Sequence, residues 1–203
     1  YKLFLKKLYE YGFTVIQNCK TEMSSVEKIA KKIGYVRESI FGGLWSFESN
    51  EDKADSAYTQ EELRPHTDST YSNDAPGLQL LLCCHYKASG GESIMVDGFK
   101  IAEKIKNEKR EIYDLLTQIE VTGQYIGDGV FLKAKRPIFR VNSDNELIQV
   151  SFNNYDRAPF KFSEDKTKKF YEAIKEFDLI ANNKEYQWRH VLKPGELLIS
   201  VSY

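Results

Sequence analysis

At 203 residues, 41% hydrophobic and 29% charged, the chain is of a size for one domain with a sizeable core. Its 29 basic and 30 acidic side chains leave a net charge of −1, which argues against an electrostatic binder of nucleic acid. No apolar run approaches membrane-spanning length, so neither nucleic acid nor a membrane is expected as a partner. Cys19, Cys83 and Cys84 are odd in number and fit no disulfide framework, which predicts a reducing compartment. The first residues carry no signal-like pattern, so targeting information is expected to be absent or already removed.

In chain order, a short helix is predicted over residues 3–11, stopped by Gly12, and a strand over 13–17. Ser24 and Glu27 have capping-box spacing ahead of an apolar stripe of Val26, Ile29, Ala30 and Ile33, and Gly34 ends that helix. A long irregular tract follows over 35–65, holding Phe41, Gly42, Gly43, Trp45, Phe47 and Tyr58. Such a tract inside a compact domain is functional or disordered, and its aromatic content argues against disorder. Strands are predicted over 78–86 and 93–96, with a Gly90-Gly91 turn between them. An amphipathic helix over 99–116 places Ile101, Ile105, Ile112 and Leu115 on one side. Strands over 120–125 and 146–152 lead to a helix over 164–181 that buries Phe170, Ile174 and Phe177. Lys193-Pro194-Gly195 then turns the chain into an apolar strand over 196–201. Mainly β with flanking helices, this pattern fits a double-sheet jelly roll.

Chemistry concentrates in Arg64-Pro65-His66-Thr67-Asp68-Ser69-Thr70-Tyr71. In a strand, side chains at i and i+2 share a face, so His66 and Asp68 could clasp one metal ion. Two histidines and one carboxylate on one face of an octahedron mark non-heme iron(II) oxygenases. The alternative is a solvated loop histidine beside a capping aspartate.

Further motifs accompany this one. They are Phe41-Gly42-Gly43-Leu44-Trp45-Ser46-Phe47, Asp55-Ser56-Ala57-Tyr58-Thr59, Gly90-Gly91-Glu92-Ser93-Ile94-Met95-Val96-Asp97-Gly98-Phe99 and Asn153-Asn154-Tyr155-Asp156-Arg157-Ala158. In order and approximate spacing the set resembles the trimethyllysine dioxygenase and γ-butyrobetaine hydroxylase family, through essentially the whole chain. The resemblance implies a TauD-like domain over 1–203 on a double-stranded β-helix, with Fe(II) as metal, 2-oxoglutarate as co-substrate and ascorbate as reductant. It implies O2 and trimethyllysine as the small-molecule partners, with hydroxylation at carbon 3 in the first step of carnitine synthesis. A homodimer is also expected, in the mitochondrial matrix by resemblance, with the cytoplasm as the alternative.

By the same resemblance, His66 and Asp68 are catalytic metal ligands and Ser93 holds the distal carboxylate of 2-oxoglutarate. Aromatic faces suit a trimethylammonium, which donates no hydrogen bond. Phe41, Trp45 and Tyr58 lie where the family builds its cage, against the alternative of ordinary core aromatics. Asp55 answers the α-ammonium that distinguishes trimethyllysine from γ-butyrobetaine, and Asn153 and Asn154 answer the carboxylate end. Asp156 and Arg157 are further candidates, with an internal ion pair as the alternative.

The departure from the family lies at the C-terminus. After the Pro-Gly turn and apolar strand, the family continues with Asp-Asn-Trp-Arg and Leu-His-Gly-Arg, whose histidine is the third ligand, followed by an arginine that grips 2-oxoglutarate. Here the chain reads Ser200-Val201-Ser202-Tyr203. The expectation is a fold lacking its closing portion, with the third ligand and the arginine absent. His85 closes a strand, and His190 precedes the turn, so neither is expected to replace that ligand. Three readings stand: part of an active hydroxylase, a non-catalytic form retaining a trimethylammonium pocket, or a γ-butyrobetaine hydroxylase relative.

Overall fold

The computed structural model describes residues 2–48, 62–74, 76–127 and 129–202. In chain order its elements are α1 (Lys2–Tyr11), β1 (Phe13–Ile16), α2 (Met23–Ile33), β2 (Leu78–Leu82), β3 (Ser93–Val96), α3 (Gly98–Glu108) and α4 (Arg110–Gln118). They continue with β4 (Glu120–Gly127), β5 (Val130–Pro137), β6 (Phe139–Val141), β7 (Leu147–Val150), α5 (Glu164–Ala181), β8 (Gln187–His190) and β9 (Leu197–Val201). Two compact units divide them, one from residues 2–48, 77–93 and 189–202, the other from the rest. No helix among the described residues is long and apolar enough to cross a membrane.

In the first unit the apolar run at the end of the sequence becomes the central strand. β9 pairs antiparallel with β1 on one side and β2 on the other, with Ile199 opposite both Thr14 and Leu80. Leu197, Leu198, Ile199 and Ser200 are all buried, so both faces of β9 are covered, which a continuous apolar run suits. Leu197 and Ile199 are fully buried and form a core with Leu8, joined by Phe4, Val26, Ile29, Ile33, Leu78, Leu80 and Leu82. The stripes of α1 and α2 thus supply one side of this sheet.

Two sequence expectations fail here. The Ser24–Glu27 capping box does not form: α2 begins at Met23 after an extended Glu22, with no side-chain cap. Glu27 instead pairs with Lys31 one turn on, at 2.6 Å, a spacing that helices favour in this order. Strand β2 also stops at Leu82, short of residue 86, and His85 lies exposed beyond it. Gly34 does end α2, its N–H bonded to the Ala30 carbonyl.

The Pro194-Gly195 turn is fixed by glycine. Gly195 has φ +87°, and a Cβ there would lie 2.9 Å from the Cys19 carbonyl oxygen. The next residue, Glu196, does not join the strand as expected. Its carboxylate accepts the Lys193 backbone N–H at 2.9 Å, His190 Nε2 at 2.7 Å and Gln17 Nε2 at 3.1 Å. The Lys193 N–H and then His190 bring its pKa down from 4.5 to about 2, against the opposing effect of burial.

The second unit has a larger core. α5 buries Phe170, Ala173, Ile174, Phe177 and Ala181, the i, i+3, i+4 spacing of a single stripe. Its partners include Ile101, Ile105, Leu116 and Phe139, with Phe139 and Phe177 ring centroids 5.8 Å apart edge-on. The single helix expected over 99–116 is two helices, α3 and α4, broken at Lys109 (φ −142°, ψ 63°). The break turns Tyr113 inward onto Phe139 at 5.4 Å, so Tyr113 and Leu116 are the buried residues, while Ile112 and Leu115 are only partly covered. Three strands, β5, β6 and β8, have no counterpart in the sequence expectations. β4 and β5 form a hairpin in register over all eight residues of each, and β6 pairs with β7.

Because Glu196 has a depressed folded pKa, its contribution to stability is complete above about pH 4.5 and disappears as pH falls toward 2. Glu196→Gln keeps the shape and loses the charge. We expect it to be less stable than the parent at neutral pH, with the difference narrowing through this acid window, as read from thermal melts by circular dichroism. A difference that stays constant from neutral pH to pH 2 would remove the assignment.

Candidate functional site

The 64–70 segment of the second unit is a loop, not the strand assumed for the His-x-Asp pair. His66 and Asp68 nevertheless converge, with Nε2 3.2 Å from Oδ1. The cause is Thr67 between them. Its backbone N–H donates to the Phe152 carbonyl at 2.8 Å, and its Oγ1 accepts the Phe152 N–H at 3.0 Å. With Thr67 committed to that side, its two neighbours meet on the other. The His66 ring also lies edge-on to Tyr155 at 5.9 Å, and the Tyr155 hydroxyl accepts the Arg64 N–H at 3.0 Å.

His66 Nδ1 lies 2.8 Å from the Arg64 carbonyl oxygen, an acceptor, so Nδ1 carries a proton. This leaves Nε2 to face a carboxylate oxygen across 3.2 Å, which requires a proton or a cation between them. Burial lowers the His66 pKa, but hydrogen bonds to Asp68 and Arg64 and the charges of Asp68 and Asp156 outweigh it, and the net direction is up. The donor set fits a divalent transition metal. An imidazole whose other nitrogen bonds a backbone carbonyl is the usual form of a ligating histidine. Donors at right angles, with bonds of about 2.1 Å, sit about 3 Å apart. The two side chains keep 25% and 40% exposure, so an ion can reach them. Among the described residues no group of three or more His, Cys, Asp or Glu converges on one point.

The loop is held from a second direction. Thr70 Oγ1 donates to Asp156 Oδ2 at 3.4 Å, and Asn153 Nδ2 donates to the same oxygen at 2.9 Å. The Gln124 N–H bonds the Asp156 carbonyl at 2.7 Å, and the Ala158 N–H bonds Thr122 at 2.9 Å, so the 156–158 segment runs along the free side of β4. At Gly123 the loop touches that strand. A Cβ there would lie 2.4 Å from the Thr70 carbonyl oxygen. An isolated glycine within a strand is the sequence sign of such a close approach, and it is the signal by which Gly123 and Thr70 were findable.

Other expected site residues divide between the units. In the first, Phe41 and Trp45 meet at 5.8 Å between centroids, Trp45 with 46% exposure, which sets it apart from a core aromatic. Ser93 opens β3, half-buried, and His190 is engaged by Glu196. In the second, the Asn153 amide is partly committed: its Oδ1 accepts the Tyr155 N–H at 2.8 Å and its Nδ2 serves Asp156. Asn154 beside it is exposed. Asp55 and Tyr58 lie outside the described residues. Arg136 carried no sequence signal, yet with Arg157 it lines a recess of this unit.

Comparison with known proteins adds the following. The model of the taurine catabolism dioxygenase TauD, TfdA family matches residues 2–200. A trimethyllysine dioxygenase from Meyerozyma guilliermondii is 36% identical over 95% of this chain and 50% of its own length. The mitochondrial trimethyllysine dioxygenase of Homo sapiens is 31% identical over 97% of this chain and 48% of its own. The chain therefore spans about half the length of the curated relatives it matches. A solved structure described as a putative alpha-ketoglutarate-dependent taurine dioxygenase from Burkholderia xenovorans superposes with TM-score 0.68 at 12% identity, over 99% of this chain and 72% of that one. That likeness gives the fold.

Gly123→Ala drives a methyl group into the Thr70 backbone, which cannot swing aside as a flexible side chain would. The expected loss is about 1–3 kcal/mol of stability, read from urea denaturation. An unchanged midpoint would show that the loop does not depend on this contact.

Proposed function

The chain belongs to the taurine catabolism dioxygenase TauD, TfdA family, and from this premise we propose that it serves iron(II)- and 2-oxoglutarate-dependent hydroxylation of trimethyllysine at carbon 3, the first step of carnitine synthesis. The observation that carries the reading is the convergence of His66 Nε2 and Asp68 Oδ1 at 3.2 Å, with Nδ1 tied to a carbonyl. Relatives named trimethyllysine dioxygenase support the substrate, and those with "mitochondrial" in their names support a mitochondrial matrix location. The double-stranded β-helix belongs to the same reading.

In this mechanism iron with 2-oxoglutarate and O2 supplies the oxidising power, and ascorbate keeps the metal reduced. His66 and Asp68 would hold the metal through one nitrogen and one carboxylate oxygen. The Arg64 carbonyl keeps the proton on Nδ1, which leaves the Nε2 lone pair for coordination. The Arg64 carbonyl and the edge-on Tyr155 ring orient the imidazole before an ion arrives. Phe41 and Trp45, with Tyr58, offer aromatic faces to the trimethylammonium, worth about 0.5–2 kcal/mol per contact according to desolvation. Asp55 accepts from the α-ammonium and the amides of Asn153 and Asn154 donate to the carboxylate, while Ser93 donates to the distal carboxylate of 2-oxoglutarate.

Two experiments test this. His66→Ala and Asp68→Ala each remove a protein donor and are expected to weaken ferrous binding at least about a hundredfold in anaerobic calorimetry. Iron affinity unchanged in both variants sinks the metal assignment. Asp55→Asn is expected to weaken trimethyllysine binding about ten- to a hundredfold, since a hydrogen bond to a charged group contributes about 1.5–3 kcal/mol, and to spare γ-butyrobetaine, which has no α-ammonium. Equal weakening of both ligands assigns Asp55 to structure alone.

A further inference from the structure

Charge is unevenly placed on this chain. α1 and α2 together carry six lysines and two glutamates, whereas α3, α4 and α5 together carry eight basic and nine acidic side chains. The net charge of −1 therefore conceals a positive excess on the first two helices. Lys2, Lys6, Lys7, Lys28, Lys31 and Lys32 are all exposed. Each glutamate is spent within its own helix, Glu10 on Lys6 at 3.6 Å and Glu27 on Lys31 at 2.6 Å.

Both helices cover the same face of the first unit's sheet. Leu78, Leu80 and Leu82 stand opposite Val201, Ile199 and Leu197, so these side chains share one face. Phe4 and Leu8 of α1 and Val26, Ile29 and Ile33 of α2 pack into the cluster they form. α1 lies against β1 and β9, and α2 against β2. With both apolar stripes turned to the sheet, the opposite sides of both helices face solvent together. Helical periodicity puts Leu3 and Lys6 opposite Leu8, and Lys28 and Lys31 opposite the stripe of α2. Beside these lysines Leu3 is 68% exposed and Tyr9 92%.

We propose that this two-helix face is a peripheral docking surface for an anionic phospholipid bilayer. Such attachment needs no membrane-crossing segment, only lysines at the headgroups and a few apolar or aromatic side chains at their level. An ordinary solvated helix face balances its charges, as α3, α4 and α5 do, and does not concentrate one sign on two neighbouring helices. All six cations are lysines, whereas nucleic-acid contacts favour the forked guanidinium of arginine. Lipid headgroups diffuse to meet point charges, so no fixed spacing of lysines is required. Each lysine near an anionic surface raises partitioning about fivefold, and an excess of four raises it roughly two to three orders of magnitude. The proposal goes beyond the hydroxylase reading and uses none of its residues.

The test is co-sedimentation of the 203-residue chain with vesicles at low salt. One set is phosphatidylcholine alone, the other equal parts of phosphatidylcholine and phosphatidylserine. Binding is expected to the anionic vesicles only, and to be lost in ~1 M salt, where the Debye length falls to about 3 Å. The triple variant Lys2→Gln, Lys6→Gln, Lys7→Gln is expected to partition about ten- to a hundredfold less, as is Lys28→Gln, Lys31→Gln, Lys32→Gln. Lys166→Gln, Lys168→Gln, Lys169→Gln on α5 changes net charge equally and is expected to bind as the parent does. Circular dichroism melts confirm that each variant folds, and the salt and lipid arms use the parent, so they stand if a variant does not. Absence of binding to anionic vesicles overturns the proposal, and so does equal binding to phosphatidylcholine alone. An equal loss in the α5 variant overturns it too, because net charge and not this face would then be responsible. Tighter binding of a duplex oligonucleotide than of the anionic vesicles assigns the face to nucleic acid and overturns the lipid proposal.

Discussion

Two hydrogen bonds between Thr67 and Phe152 decide where the candidate ligands point. Phe152 is buried and packs on Phe177 at 4.5 Å, so the loop is referred through Thr67 to the core of its unit. Each bond contributes about 0.5–1.5 kcal/mol, whereas ordering one residue of a loop costs about 1–2 kcal/mol. Two bonds therefore cannot hold residues 64–70 by themselves. The balance comes from Thr70 against Gly123 and Asp156, from the Arg64 N–H on Tyr155, and from Arg64 on Asp178 at 2.8 Å. Ser69 has φ +56°, a conformation that a residue with a Cβ adopts only when its surroundings impose it. Anchors on both sides of it provide that imposition.

How much of this was legible depended on whether the signal was local. The α5 stripe and the apolar run of β9 were readable because periodicity and continuous burial are written in consecutive residues. The α3–α4 break was not, because a helix over 99–116 satisfies the same periodicity; what ends it is the packing of Tyr113 on Phe139, a contact distant in sequence. The capping box failed for a related reason. Ser24 and Glu27 have the correct spacing, but Lys31 is an equally local partner for Glu27, and the pair forms. At the site, the sequence named His66 and Asp68 but assigned their convergence to strand alternation. The actual cause, Thr67 bonded to a residue far along the chain, is a tertiary one.

The amide pair illustrates the same limit. Asn153 and Asn154 look equivalent as neighbours, yet Asn153 closes a turn with its Oδ1 and steadies Asp156 with its Nδ2. Asn154, exposed beside it, is the freer to meet a ligand. Sequence identifies an amide, and only the fold distinguishes one spent on the backbone from one available to substrate.

Buried charge divides along the same line. Glu196 is 6% exposed, and three donors, including His190, converge on its carboxylate. That carboxylate is satisfied within the chain, and its consequence is a stable turn before the central strand. Arg136 and Arg157 are partly covered too, but each leaves one N–H shut from water with no acceptor. Saturated buried charge accounts for itself through the fold. An N–H that the chain leaves unsatisfied is completed from outside it, by an ordered water or a bound group.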